Sequence, residues 1–128
     1  MDTADSSTRK DIDMNTVPRF LQGIFAFEGE GFAKPGLVDD SLRYLVPAGV
    51  VSQPLYFRGG NTTDELICLV LVRDGSPMRY FPIGAKADVF VPLRVVEDLD
   101  GGTTLELQVA APEGLAGSVV VDFGLVEV

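Results

Sequence analysis

Residues 66–72 read Leu-Ile-Cys-Leu-Val-Leu-Val, seven apolar side chains in succession between Glu65 and Arg73. The run is too short and too uniform for an amphipathic helix, and it ends at Asp74-Gly75. That pair tolerates positive φ and suits a tight hairpin. The segment is therefore predicted to be a β-strand. A strand turns alternate residues to opposite faces. Leu66, Cys68, Val70 and Val72 fall on one face, and Ile67, Leu69 and Leu71 on the other. Both faces need cover, supplied by a second sheet on one side and by a loop, a helix or another subunit on the other.

Working outward, apolar runs alternate with Gly, Pro, Asn and Asp along the whole chain after residue 15. No stretch of useful length shows a 3.6-residue period, which excludes a long amphipathic helix. Eight strands are expected, at 20–27, 42–46, 50–57, 65–73, 78–83, 88–96, 103–110 and 118–128. In 103–110, Leu105, Leu107 and Val109 alternate with Thr104, Glu106 and Gln108, the pattern of a strand with one wet face. Pro47, Pro54, Pro82 and Pro92 place breaks or sheet margins in the second, third, fifth and sixth strands. The fourth, seventh and eighth lack proline and are expected to be central. Asp100-Gly101-Gly102 closes a hairpin, Gly59-Gly60-Asn61 separates the third strand from the fourth, and residues 28–40 form an irregular loop with room for one helical turn. The fold class is all-β: a single-domain antiparallel β-sandwich, jelly-roll-like, of about eight strands. Residues 1–15, rich in Asp, Ser and Thr, are expected to be a disordered arm, leaving 16–128 as the sandwich domain.

The chain has 128 residues, 46% hydrophobic and 23% charged, which suits one globular domain. Its formal charge of −9, with ten scattered Lys and Arg, makes nucleic acid and anionic membranes poor partners. No run reaches the roughly 20 apolar residues of a membrane helix, and the first fifteen residues lack a signal-peptide core, so a cytoplasmic protein is expected. Cys68 is the only cysteine. It reads as core filler rather than as a reactive thiol.

The sequence contains no histidine. The commonest general base, the usual zinc ligand and the orienting member of hydrolase triads are thereby missing. Nor is there a P-loop or a nucleophile-elbow motif. The chain is read as non-catalytic and without cofactor. Glu97, Asp98 and Asp100 are too few for a full calcium loop. Asn61-Thr62-Thr63 matches a glycosylation sequon and is read as a polar turn.

Two groups of residues carry the remaining functional expectations. Arg43-Tyr44, Tyr56-Phe57-Arg58 and Arg79-Tyr80-Phe81 recur on the second, third and fifth strands. If those strands adjoin, Arg43, Tyr44, Tyr56, Arg58, Arg79 and Tyr80 furnish rings and guanidinium groups for a sugar, a carboxylate or a protein partner. Separately, the second apolar faces of the fourth and eighth strands are expected to form a homo-oligomer interface through Ile67, Leu69, Leu71, Val120 and Val126. The leading functional reading is a structural or assembly module that self-associates or docks on a larger partner. The alternative is a small-ligand-binding sandwich, possibly for carbohydrate, using the Tyr/Arg surface.

Overall fold

A computed structural model describes residues 16–93 and 97–128. The proposed arm at 1–15 lies outside them, as does the end of the sixth expected strand. Among the described residues nine strands follow in chain order: β1 (Val17–Glu28), β2 (Arg43–Leu45), β3 (Val51–Asn61), β4 (Ile67–Arg73), β5 (Ser76–Ile83), β6 (Asp88–Pro92), β7 (Leu99–Asp100), β8 (Thr104–Ala110) and β9 (Ala116–Glu127). Among the described residues the only helix is a single 3-10 turn, Asp40–Leu42, capped by the Asp39 side chain. Among the described residues no helix is long and apolar enough to cross a membrane.

The strands form two antiparallel sheets. The first has the order β1-β9-β3-β6, with the two-residue β7 also pairing β3. The second runs β2-β8-β4-β5. The proline-free strands β4, β8 and β9 are all internal, as expected. Proline-bearing β5 and β6 lie at edges, and Pro54 sits where the β3–β9 register shifts. The expected break at Gly59-Gly60-Asn61 does not occur, because β3 runs through all three residues and pairs β9 to Asn61↔Val119. Gly59 is needed there: a Cβ would lie 2.6 Å from the Phe57 ring and 2.9 Å from Ile83. The hairpin at Asp74-Gly75 forms with φ of 49° and 84°, the left-handed pair that a two-residue connection requires.

The core lies between the sheets. Leu21 and Phe27 of β1, Phe57 of β3 and Val119, Val121, Phe123 and Leu125 of β9 meet Ile67, Leu69 and Leu71 of β4 and Leu105 and Leu107 of β8. Phe57 stacks on Phe81 across the gap, with centroids 4.3 Å apart. This corrects the oligomer expectation for β4. Ile67, Leu69 and Leu71 have no exposed surface, because theirs is the face turned to the opposing sheet.

The other face of β4 is closed within the chain. Val70 and Val72 are buried with Ala110 in a small second cluster, beside half-buried Cys68. Tyr80 and Gln108 flank Val70 in register, while Pro77 and Glu106 flank Val72. The loop after β1 is not its cover: Leu37 and Val38 pack against the main core, and Phe32 stays exposed.

Asn61, the sequon residue, is buried and works as a clamp. Its amide nitrogen donates to the carbonyls of Glu65, Ile83 and Gly84 at 2.8–3.0 Å, and its oxygen accepts from the Thr63 backbone and hydroxyl. It ties the end of β3 to the start of β4 and the end of β5.

Candidate functional site

The six Tyr and Arg residues do not share a surface, since β3 belongs to one sheet while β2 and β5 are opposite edges of the other. Arg43 bonds Glu106 at 2.7 Å on the outer face of the second sheet. Tyr44 turns inward and donates to Glu127, which also accepts from Arg19 at 3.1 Å. Burial, then the carboxylate, pushes the Tyr44 hydroxyl up to about 12. This keeps it a neutral donor and makes it a structural link between the sheets. Arg79 is held by Glu97 and by the Met78 carbonyl, leaving Tyr80 exposed beside it. Only Tyr56 and Arg58 stand together, on the outer face of the first sheet.

That face is built by the register. Gln22, Asp122, Arg58 and Phe90 occupy one row across β1, β9, β3 and β6. Phe20, Gly124, Tyr56 and Pro92 occupy the next row, and Ile24, Val120, Gly60 and Asp88 the row on the other side. Phe20, Ile24, Phe90 and Val120 are exposed at 53%, 73%, 61% and 41%. Gly124 is the reason the Tyr56 ring lies low across β9, because a Cβ there would sit 2.2 Å from it. From that position Tyr56 donates to Asp122 Oδ1 at 2.9 Å, and the Gln22 amide donates to the same oxygen at 3.3 Å. Burial and the bond to Asp122 raise the Tyr56 hydroxyl above its ordinary value, so it too stays a donor.

Asp122 Oδ2 is left without a protein donor among the described residues. The Arg58 guanidinium makes no hydrogen bond or ion pair there either, and it lies 6.0 Å over the Phe90 ring. Between them is a cleft of about 360 Å³ over Gly59, Gly60 and Val120, with Asp88 on its far rim. A carboxylate oxygen and a guanidinium thus face an open trough floored by glycine and valine. Val120 and Val126, the two remaining residues of the expected oligomer interface, are on this same face. A second groove, of about 470 Å³, runs between β5 and β6 under Arg79, Tyr80 and Val91. It is mostly apolar, and Arg79 is already engaged.

Sequence reasoning missed Asp122, Gln22, Phe20 and Phe90. The signal was present: Asp122 interrupts the apolar run Val119-Val120-Val121-Asp122-Phe123-Gly124-Leu125, and Gln22 does the same in 20–27. A polar residue at an outward position within an apolar strand is a candidate for ligand contact. The acidic turn expected after the sixth strand is spent on structure, with Glu97 on Arg79 and Asp98 accepting from Gln53. No cluster of three potential metal ligands occurs among the described residues.

The architecture recurs in solved structures. Carbohydrate-binding module CBM36, solved in complex with calcium and xylotriose, superposes with a TM-score of 0.54 at 15% identity, covering 84% of this chain and 97% of that one. The T13 IBDV viral particle contains a chain with a TM-score of 0.54 at 9% identity, covering 89% of this chain and 31% of that one. The chain is a jelly-roll-like antiparallel β-sandwich. At such identities the sandwich shares the fold with these proteins and no more. No family model matches it, and no curated protein matches its sequence.

Proposed function

We propose that this sandwich is a non-catalytic carbohydrate-binding module whose ligand lies across the outer face of the β1-β9-β3-β6 sheet. The observation that carries the reading is the Gln22–Asp122–Arg58 row, which ends at Phe90 and is flanked on one side by Phe20 and Tyr56, on a face floored by Gly60 and Gly124. A sugar presents apolar C–H faces and vicinal hydroxyls. The rings suit the first, while Asp122 Oδ2 and Arg58 suit the second as acceptor and donor. Three strand spacings separate β1 from β6, about 14 Å, so the row accommodates a short oligosaccharide better than a single sugar. Asp88 and Asp122 outweigh Arg58 in charge, which favours a neutral glycan over an acidic one. The fold likeness to a module solved with xylotriose supports the same class of ligand. A calcium-mediated contact is not part of this reading.

Affinity electrophoresis and calorimetry against xylan, xylotriose and other neutral β-glycans test it. Binding to at least one is expected, unaffected by EDTA. Asp122→Ala should weaken it roughly thirtyfold, the loss of a charged hydrogen bond worth about 2 kcal/mol. Binding that persists unchanged in Asp122→Ala and Phe90→Ala would reject this face as the site.

A further inference from the structure

We propose that Tyr56 and Phe90 are positioning residues that hold the Asp122–Arg58 pair open, so that a neutral pair of neighbouring hydroxyls on the ligand, rather than an ion pair, joins the two side chains. Among the described residues, register sets two arginines directly opposite a carboxylate: Arg43 opposite Glu106, and Arg58 opposite Asp122. The first pair closes, with Arg43 Nε donating to Glu106 Oε2 at 2.7 Å. The second does not, although opposite residues have Cβ atoms only about 5 Å apart, well within an arginine's reach. The difference lies in the neighbours. Gln108, on the same strand as Glu106, takes only its Oε1 and leaves Oε2 to Arg43. Asp122 is drawn away from its arginine. Gln22 on β1, across β9 from Arg58, and Tyr56 in the next row both donate to Oδ1. Arg58 is drawn the opposite way, toward β6, where its guanidinium lies 6.0 Å over the Phe90 ring. The gap so kept belongs to the trough of about 360 Å³ that both side chains line.

An ion pair this exposed is worth little, so modest contacts suffice to keep it apart. Asp122 Oδ2 can only accept, and Arg58 can only donate. The group that joins them must therefore offer a donor to one and an acceptor to the other, side by side. Neighbouring hydroxyls of a sugar ring do both and bring no charge. A phosphate or carboxylate would serve Arg58 and be repelled by Asp122, and an ammonium the reverse. The ligand half of this inference rests on the glycan reading above, whereas the open pair is a property of the free protein. Tyr56 acts through Asp122, and its low ring position requires Gly124 beneath it.

The arginine Nε–H signals of isotope-labelled protein read the pair without any ligand. In the wild type, Arg58 Nε–H should exchange fast with water, while Arg43 Nε–H, engaged by Glu106, is the slow reference in the same spectrum. In Tyr56→Phe/Phe90→Ala the pair should close, and Arg58 Nε–H should slow toward Arg43. Calorimetry then reads the ligand half with xylotriose, or with whichever neutral glycan the wild type binds. Tyr56→Phe keeps the ring and should bind up to about fivefold more weakly, the worth of one exposed ion pair that the ligand must now displace. In about 1 M salt, where screening acts within about 3 Å, that loss should largely vanish, while wild-type affinity stays constant. A slow Arg58 signal in the wild type, or a fast one in the double variant, would overturn the open pair. Wild-type affinity in Tyr56→Phe, or a loss that salt does not relieve, would overturn the role of Tyr56, the latter because a direct contact between its hydroxyl and the sugar is indifferent to screening. If no glycan binds the wild type, the glycan reading and the ligand half fall together, and the Arg58 signal still decides the open pair.

Discussion

The outer faces of the two sheets are made from similar residues and finished in opposite ways. On the second sheet, small side chains sit under long ones: Val70 and Val72 are buried between flanking Tyr80, Gln108, Pro77 and Glu106, and Arg43 spans to Glu106, which also accepts from Gln108. Its charges are spent on one another. On the first sheet, glycines lie between long residues, Val120 is left 41% exposed, Arg58 has only the Phe90 ring beneath it, and one oxygen of Asp122 has no donor among the described residues. A face closes when long side chains neighbour short ones and opens when glycine removes the filler. The open face is the one free to bind.

The sharpest way to test which β4 face is the core is Leu69→Asp. Leu69 is fully buried between the sheets. A carboxylate there has no partner, so the penalty of several kcal/mol should unfold the domain, visible as loss of the urea transition. A soluble, folded Leu69→Asp protein would return β4 to the list of interface strands.

Gly124→Ala attacks the open face at its floor. The added methyl overlaps the Tyr56 ring, so either the ring lifts off Asp122 or β9 shifts, at about 2 kcal/mol. A lower urea midpoint together with weakened glycan binding is expected. A midpoint unchanged from wild type would mean that the ring has room elsewhere.

A matched pair compares the faces directly. Val70→Ala should cost about 2 kcal/mol, as a buried truncation does, while Val120→Ala should stay within roughly 0.5 kcal/mol. Equal losses in chemical denaturation would erase the distinction between a closed and an open face.

The smallest effect expected near neutral pH belongs to Glu127, which both faces leave to the interior. The Tyr44 hydroxyl, and secondarily Arg19, hold its carboxyl below the ordinary 4.5, against the opposing effect of burial. A depressed folded pKa means stability that is fully present above 4.5 and lost as pH falls through the folded value. Glu127→Gln should flatten this acid limb in melts taken from pH 6 downward. Glu106 and Asp39, shifted in the same direction, keep a residual slope.

Much of the fold was legible from punctuation. The prolines marked edges and a bulge, Asp74-Gly75 marked a hairpin, and the unbroken 66–72 run marked a doubly covered strand. Which β4 face turns inward was not legible, since both are apolar and only the pairing partners decide. The Tyr and Arg repeats misled for a related reason. Strands two, three and five are near in sequence, but the topology sends β3 to one sheet and β2 and β5 to the other. The Asp122–Gln22–Tyr56 cluster joins Asp122 to residues 100 and 66 positions earlier, and register alone brings them together.

The Asn61 clamp bears on how the protein is produced. Its side-chain nitrogen already serves three carbonyls, so the folded chain has no amide free to carry a sugar. In a eukaryotic secretory host the sequon is met before folding, when Asn61 is still accessible. A glycan attached at that moment would occupy the one nitrogen that holds β3, β4 and β5 together, leaving the chain unable to close its sandwich. Secretory expression therefore calls for Thr63→Val or for a host without the transferase, and Thr63→Val itself gives up the hydroxyl that bonds Asn61. A bacterial cytoplasm avoids the trade altogether.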